Sequence, residues 1–181
     1  MKKILLPFLL LLVVVVSLTA ANAPRVGRAT LVSVENNLNE RISKLWDDNP
    51  FLVLGKTRGV YLENYGAVFT AEVDLVANPT SLMHANVNKD EVVKFHQKKV
   101  LRIPILKQAL KDALVATAAS LDTVPPEEQI IIVAFLANHP SWEDLSGIPT
   151  QITVQAPRKK LLDAQRGGAA AVDAVIRVTE N

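Results

Sequence analysis

The residues best suited to chemistry lie in one loop, His139-Pro140-Ser141-Trp142-Glu143-Asp144, which places an imidazole, a hydroxyl and two carboxylates directly after the most apolar run of the chain. Such loops at strand ends often carry function. A hydrolase or metal-dependent enzyme could use His139 and Ser141 with Glu143. No G-x-S-x-G elbow marks Ser141, however, and the chain has no H-E-x-x-H pair. A second pair, Glu72 and Asp74, alternates along one expected strand. The strand rise sets them about 7 Å apart on one face, a spacing open to a weakly bound hydrated cation or to acid–base work. The competing reading is a solvated sheet face.

Other polar groups invite plainer interpretations. His96 falls on the apolar stripe of a long helix and is expected as a hydrogen-bonded buried imidazole; His84 has no neighbouring ligand. Lys98, Lys99 and Arg102, and Arg158, Lys159 and Lys160, form two local basic groups, read as solvated faces. Gly55-Lys56-Thr57 matches only the end of a P-loop: Pro50 occupies the position of the required earlier glycine, and Thr57 leads into a strand. No metal ligand set and no cofactor is expected. Tyr61, Tyr65 and Trp142 are candidate contact residues, because aromatic side chains are favoured at interfaces and this chain is only 5% aromatic.

Hydrophobic periodicity supplies the elements that must position these groups. Leu31, Val34, Leu38, Ile42 and Leu45 stripe one helix face, with Glu35 and Asn39 outward. Phe51 to Leu54 is a short expected strand. Tyr61 to Leu75 reads as a hairpin whose turn holds Asn64 and Gly66, and whose second strand alternates Ala67, Phe69, Ala71, Val73 and Leu75 with more polar residues. Asn88 with Glu91 three residues later signals a capped helix start. The helix carries Val92, His96, Val100, Ile103, Leu106, Leu110 and Leu114 on one stripe, and Pro104 predicts a kink or two helices meeting near Arg102. Ile130 to Ala137 is an unbroken β-branched run, expected to be covered on both faces. Gln151 to Ala156 alternates, Pro157 opens a short helix stopped by Gly167-Gly168, and the tail combines a helical turn with a last strand.

This order gives an α+β fold, a mainly antiparallel sheet packed by a kinked long helix and shorter helices. A ribonuclease-H-like α/β arrangement is the alternative, although Phe51 to Leu54 lacks the carboxylate its metal site needs.

The whole chain has 181 residues, 49% of them apolar and 21% charged, which suits one globular domain. It contains no cysteine, which excludes disulfides, thiolate metal sites and cysteine nucleophiles. Lys2 and Lys3, the apolar run Ile4 to Val16 and Ala21-Asn22-Ala23 form the pattern of a secretory signal peptide over residues 1–23, leaving 24–181 as the expected domain. Without Lys2 and Lys3 the remainder has 18 basic and 18 acidic residues, so nucleic-acid binding has no electrostatic footprint. Export to the periplasm or beyond the cell is expected, with no membrane insertion after leader cleavage.

The segment Gly59-Val60-Tyr61-Leu62-Glu63-Asn64-Tyr65-Gly66-Ala67-Val68-Phe69 resembles a segment of a family of uncharacterised exported bacterial proteins, and the order of elements downstream is similar. That resemblance implies export and a single domain and carries no catalytic residues. The expectation is a non-catalytic binding or assembly module of the cell envelope, with an envelope protein as partner. A periplasmic hydrolase or metal-dependent enzyme using His139, Ser141 and Glu143, or Glu72 and Asp74, is the alternative.

Overall fold

The computed structural model describes residues 26–46, 56–76 and 88–181. The elements are α1 (Arg28–Ser43), β1 (Arg58–Leu62), β2 (Gly66–Val73), α2 (Lys89–Ser120), β3 (Gln129–Leu136), β4 (Gln151–Pro157), α3 (Arg158–Gln165), α4 (Ala169–Val175) and β5 (Arg177–Glu180). The five strands form one sheet in the order β1-β2-β3-β4-β5. Three of the four joins are antiparallel, and the second, β2 with β3, is parallel. The fold is therefore α+β with a mixed sheet. The expected leader, the strand at 51–54 and the loop with His84 lie outside the described residues.

The β1–β2 hairpin turns through Asn64 at φ 65° and Gly66 at φ 141°. Gly66 also faces β3 so closely that a Cβ there would stand 2.0 Å from the Gln129 carbonyl oxygen, which only glycine tolerates. Parallel strands cannot be joined by a tight turn, so the chain crosses over between β2 and β3 through α2. Asn88 and Glu91 form the expected capping box at its start. One helix of 32 residues then runs through Pro104, rather than two meeting at Arg102. Pro104 is exposed, while Ile103, Leu106, Leu110 and Leu114 are buried on either side of it. Their burial offsets the roughly 3 kcal/mol an interior proline costs.

One sheet face is the core. Ala67, Phe69, Ala71 and Val73 of β2 lie beside Ile130, Ile132, Ala134 and Leu136 of β3, then Ile152, Val154 and Ala156 of β4, all buried. The other face is only partly covered. Ile131 is buried there, but Phe135 remains 44% exposed, as do Val60 and Leu62 of β1 at 48% and 45%. The expectation that this strand is covered on both faces fails at its C-terminal end. Registration explains it: Phe135 stands between Glu72 and Gln151, whose side chains belong in water.

Helix α1 buries Leu31, Val34, Leu38 and Ile42 as its stripe predicts, and it also buries Glu35, which was expected to face out. The reason lies at the sheet edge. Glu35 Oε1 accepts from the Gly59 amide at 2.8 Å, Asn39 Oδ1 accepts from the Thr57 amide at 3.1 Å, and Arg28 donates to the Gly59 carbonyl. Two side chains one helical turn apart thus occupy the amides of Thr57, just before edge strand β1, and of Gly59 within it, groups that would otherwise invite pairing by another strand.

Candidate functional site

The parallel strands β2 and β3 end side by side, and the Ala137 amide donates to the Val73 carbonyl where they stop. Ligand and catalytic groups in α/β sheets tend to gather at the carboxyl ends of parallel strands. Here that position holds a polar cluster enclosed by the first half of α2. Asp74 enters from the end of β2, Lys99 and Arg102 from α2, and Asn138, His139 and Glu143 from the loop after β3.

Lys99 is the centre. Its side chain is 1% exposed, and its ammonium donates to Glu143 Oε2 at 2.7 Å, to the Ala137 carbonyl at 2.9 Å and to Asn138 Oδ1 at 3.2 Å, which uses all three of its donors. The Glu143 side chain is 2% exposed. Its Oε1 and the Asn138 Nδ2 are buried without a hydrogen-bond partner among the described residues. The wall is aromatic: the ammonium lies 5.2 Å from the Phe95 ring centre, and Phe95 meets Trp142 edge-on at 5.0 Å. One helical turn along, Arg102 donates to the Leu75 carbonyl at 2.8 Å and lies over the Trp46 ring. Both cations had been read as solvated. They are buried because the Ala137 and Leu75 carbonyls just past the strand ends, and the Glu143 carboxylate of the following loop, meet them. Arg158 departs from that reading too, since it donates to the Ala118 and Val124 carbonyls.

Asp74 is only 5% exposed, and its Oδ1 accepts from the Val76 amide at 3.1 Å. Burial pushes its carboxyl above the usual carboxylate range; the Val76 bond and the charges of Lys99 and His139 oppose this, and Glu143 adds to it. Glu72, its expected partner, is exposed on the other sheet face. The two differ because Asp74 stands one residue beyond the strand, where the chain turns inward. Among the described residues no group of three or more histidine or acidic side chains is placed to hold a metal ion.

The loop triad divides in the same way. Glu143 turns inward to Lys99, whereas the His139 ring stacks on Trp142 with centres 5.6 Å apart, and Ser141 is exposed. His96 is half-buried and hydrogen-bonds the Asp144 carbonyl at 2.9 Å. Asp144 is held below the usual carboxylate range by its bonds with Ser146 and, less, by His96.

Tyr61, Tyr65 and Trp142 do not share a patch. Tyr65 is exposed in the β1–β2 turn and Tyr61 donates to Glu128 Oε1 at 3.2 Å, both at the start of β2, while Trp142 lies beyond the end of β3. Strands of this length separate the two ends by about 23 Å. Burial, reinforced by the bond to Glu128, raises the Tyr61 phenol.

The groups that sequence reasoning missed at the centre are Lys99, Asn138 and Asp74 as one cluster. Lysine inside an apolar spacing was the available signal: Phe95, Lys99, Arg102 and Leu106 follow a helical period. No family model, no curated protein and no solved structure matches the chain.

Proposed function

We propose that the protein is a non-catalytic binding or assembly module of the bacterial cell envelope, exported by its leader, and that it docks another envelope protein through the partly open sheet face. The observation that carries this reading is the division of the molecule into a sealed polar cluster and an exposed apolar sheet surface. Lys99 and Glu143 are committed to each other beneath aromatic rings, out of reach of an external substrate. Phe135, Val60 and Leu62 stand exposed instead. On the same face the register places Ile131, Val133 and Thr70 between β1 and Phe135, Thr153 beyond them on β4, Glu72 directly beside Phe135, and Arg58 and Arg177 on the outer strands. A face that mixes exposed apolar side chains, threonines and charges of both signs fits a protein surface of similar make-up and suits neither nucleic acid nor anionic lipid. The hydrolase alternative has less support, because its carboxylate and its hydroxyl point to different surroundings.

The test is retention of the protein on isolated cell envelopes. Phe135→Asp should leave the melting temperature in place and abolish retention, while His139→Ala and Ser141→Ala leave retention unchanged. Retention that survives Phe135→Asp and is lost in Ser141→Ala would overturn the reading.

No described helix is long and apolar enough to cross a membrane.

A further inference from the structure

Three functional groups meet in the sealed cluster in an arrangement that an ion pair alone does not require. The Lys99 amine lies 3.2 Å from Asn138 Oδ1 and 2.7 Å from Glu143 Oε2. The amide nitrogen of Asn138 and the second oxygen of Glu143 are both buried and unpartnered among the described residues. A buried unpaired amide and a buried unpaired carboxylate oxygen each carry a desolvation cost that ordinary packing avoids. Phe95 lies against the Lys99 ammonium and is itself backed by Trp142. An amine, a carboxamide and a carboxylate held in contact away from water are the reactants for amide exchange. Their fixed proximity replaces the encounter that makes this reaction slow in solution.

We propose that Lys99 and Asn138 become joined by an intramolecular isopeptide bond, with Glu143 carrying the protons. Glu143 Oε2 takes one proton from the Lys99 ammonium. The freed lone pair on Nζ attacks Asn138 Cγ and forms the new C–N bond, giving a tetrahedral carbon. Glu143 passes protons from Nζ to the asparagine Nδ2, the Cγ–Nδ2 bond breaks, and the nitrogen leaves as ammonia, which departs as ammonium. A lysine ammonium and a carboxamide become a secondary amide and an ammonium ion, so atoms and charge balance without oxidant or reductant. Glu143 ends as it began.

The link fastens the first half of α2 to the loop after β3, two segments 39 residues apart in sequence. In a chain without cysteine no disulfide can do this. The burial that keeps external substrates from Lys99 is the condition this single internal event needs. The inference therefore stands apart from the docking reading and from its test.

Mass spectrometry of the folded full chain decides the matter. The wild-type protein should weigh about 17 Da less than its sequence from whichever N-terminus it carries, the mass of one ammonia. Its tryptic digest should yield one branched peptide containing Lys99 and Asn138. Lys99→Arg, which keeps the positive charge, and Glu143→Gln should each restore the full mass. Wild-type protein of unaltered mass, with the two peptides separate, would overturn the proposal whether or not the variants fold. So would a loss that persists in Lys99→Arg without a branched peptide, since a succinimide at Asn138-His139 gives the same mass change. A branched peptide that still forms in Glu143→Gln would remove the proton-carrying role.

Discussion

Removing Lys99 should strand a carboxylate in the interior, and the size of the effect follows from the burial of its surroundings. In Lys99→Met the Glu143 side chain, 2% exposed, loses its one hydrogen-bond partner among the described residues. Leaving one member of a buried pair uncompensated costs about 3–5 kcal/mol, a large part of the roughly 5–15 kcal/mol that holds a domain folded. The informative comparison is with Lys99→Met combined with Glu143→Met, because both proteins lack the amine and any covalent link through it. Two methionines beside Phe95 fill the space with apolar volume and leave no stranded charge, so the double variant should be more stable than the single by about 2–4 kcal/mol. Urea unfolding followed by circular dichroism reads this. With a slope of about 2 kcal/mol per molar for a domain of this size, the midpoints should differ by about 1–2 M. A double variant no more stable than the single would show that water reaches Glu143 and would refute the sealed cluster.

Further expectations concern the scaffold and its response to pH. Glu35→Ala leaves the Gly59 amide without its acceptor and should cost about 1–3 kcal/mol in urea unfolding; Glu35→Gln keeps an acceptor and should cost clearly less. Gly66→Ala forces a Cβ against the Gln129 carbonyl at a left-handed φ, and the loss should reach about 3 kcal/mol or more, read as unfolding at lower urea or as insoluble protein. Asp74 has a raised carboxyl in the folded state, so its contribution to stability is fully present below the unfolded pKa and is lost as pH rises through the folded one. Asp74→Asn removes that titration and can still accept from Val76, so its melting temperature should exceed that of the wild type at neutral pH. The gap should narrow as pH falls through the acid range, and a gap that widens would contradict the assigned cause.

The legible parts of the fold are those whose cause is local. The alternation from Ala67 to Val73 marked the core face of β2, and Asn88 with Glu91 marked the start of α2 through hydrogen bonds that span three residues. Pro157 and Gly167-Gly168 bounded α3. The polar cluster was hidden because its cause is distant. The first half of α2 buries Phe95, Lys99 and Arg102 instead of Val92, His96 and Val100, and leaves Val93, Val100, Leu101 and Ile105 exposed. That reversal of the expected pattern holds because the strand ends place Leu75 and Ala137 carbonyls and Glu143 where the cations arrive, 27 to 44 residues away in the chain. Nothing in the spacing of α2 itself encodes those partners. The loop 139–144 was found by its composition, but composition could not show that Glu143 turns inward while Ser141 stays at the surface. The pairing of Glu72 with Asp74 failed for a related reason, since strand alternation stops applying one residue after the strand does.

The proposed docking through the sheet face is tested most directly by placing a photoreactive side chain at position 135 and, separately, at position 141 in the protein made in its own cells, and irradiating them intact. Position 135 should give one defined protein adduct and position 141 none. A defined adduct from position 141 alone would place the contact at the loop and contradict it.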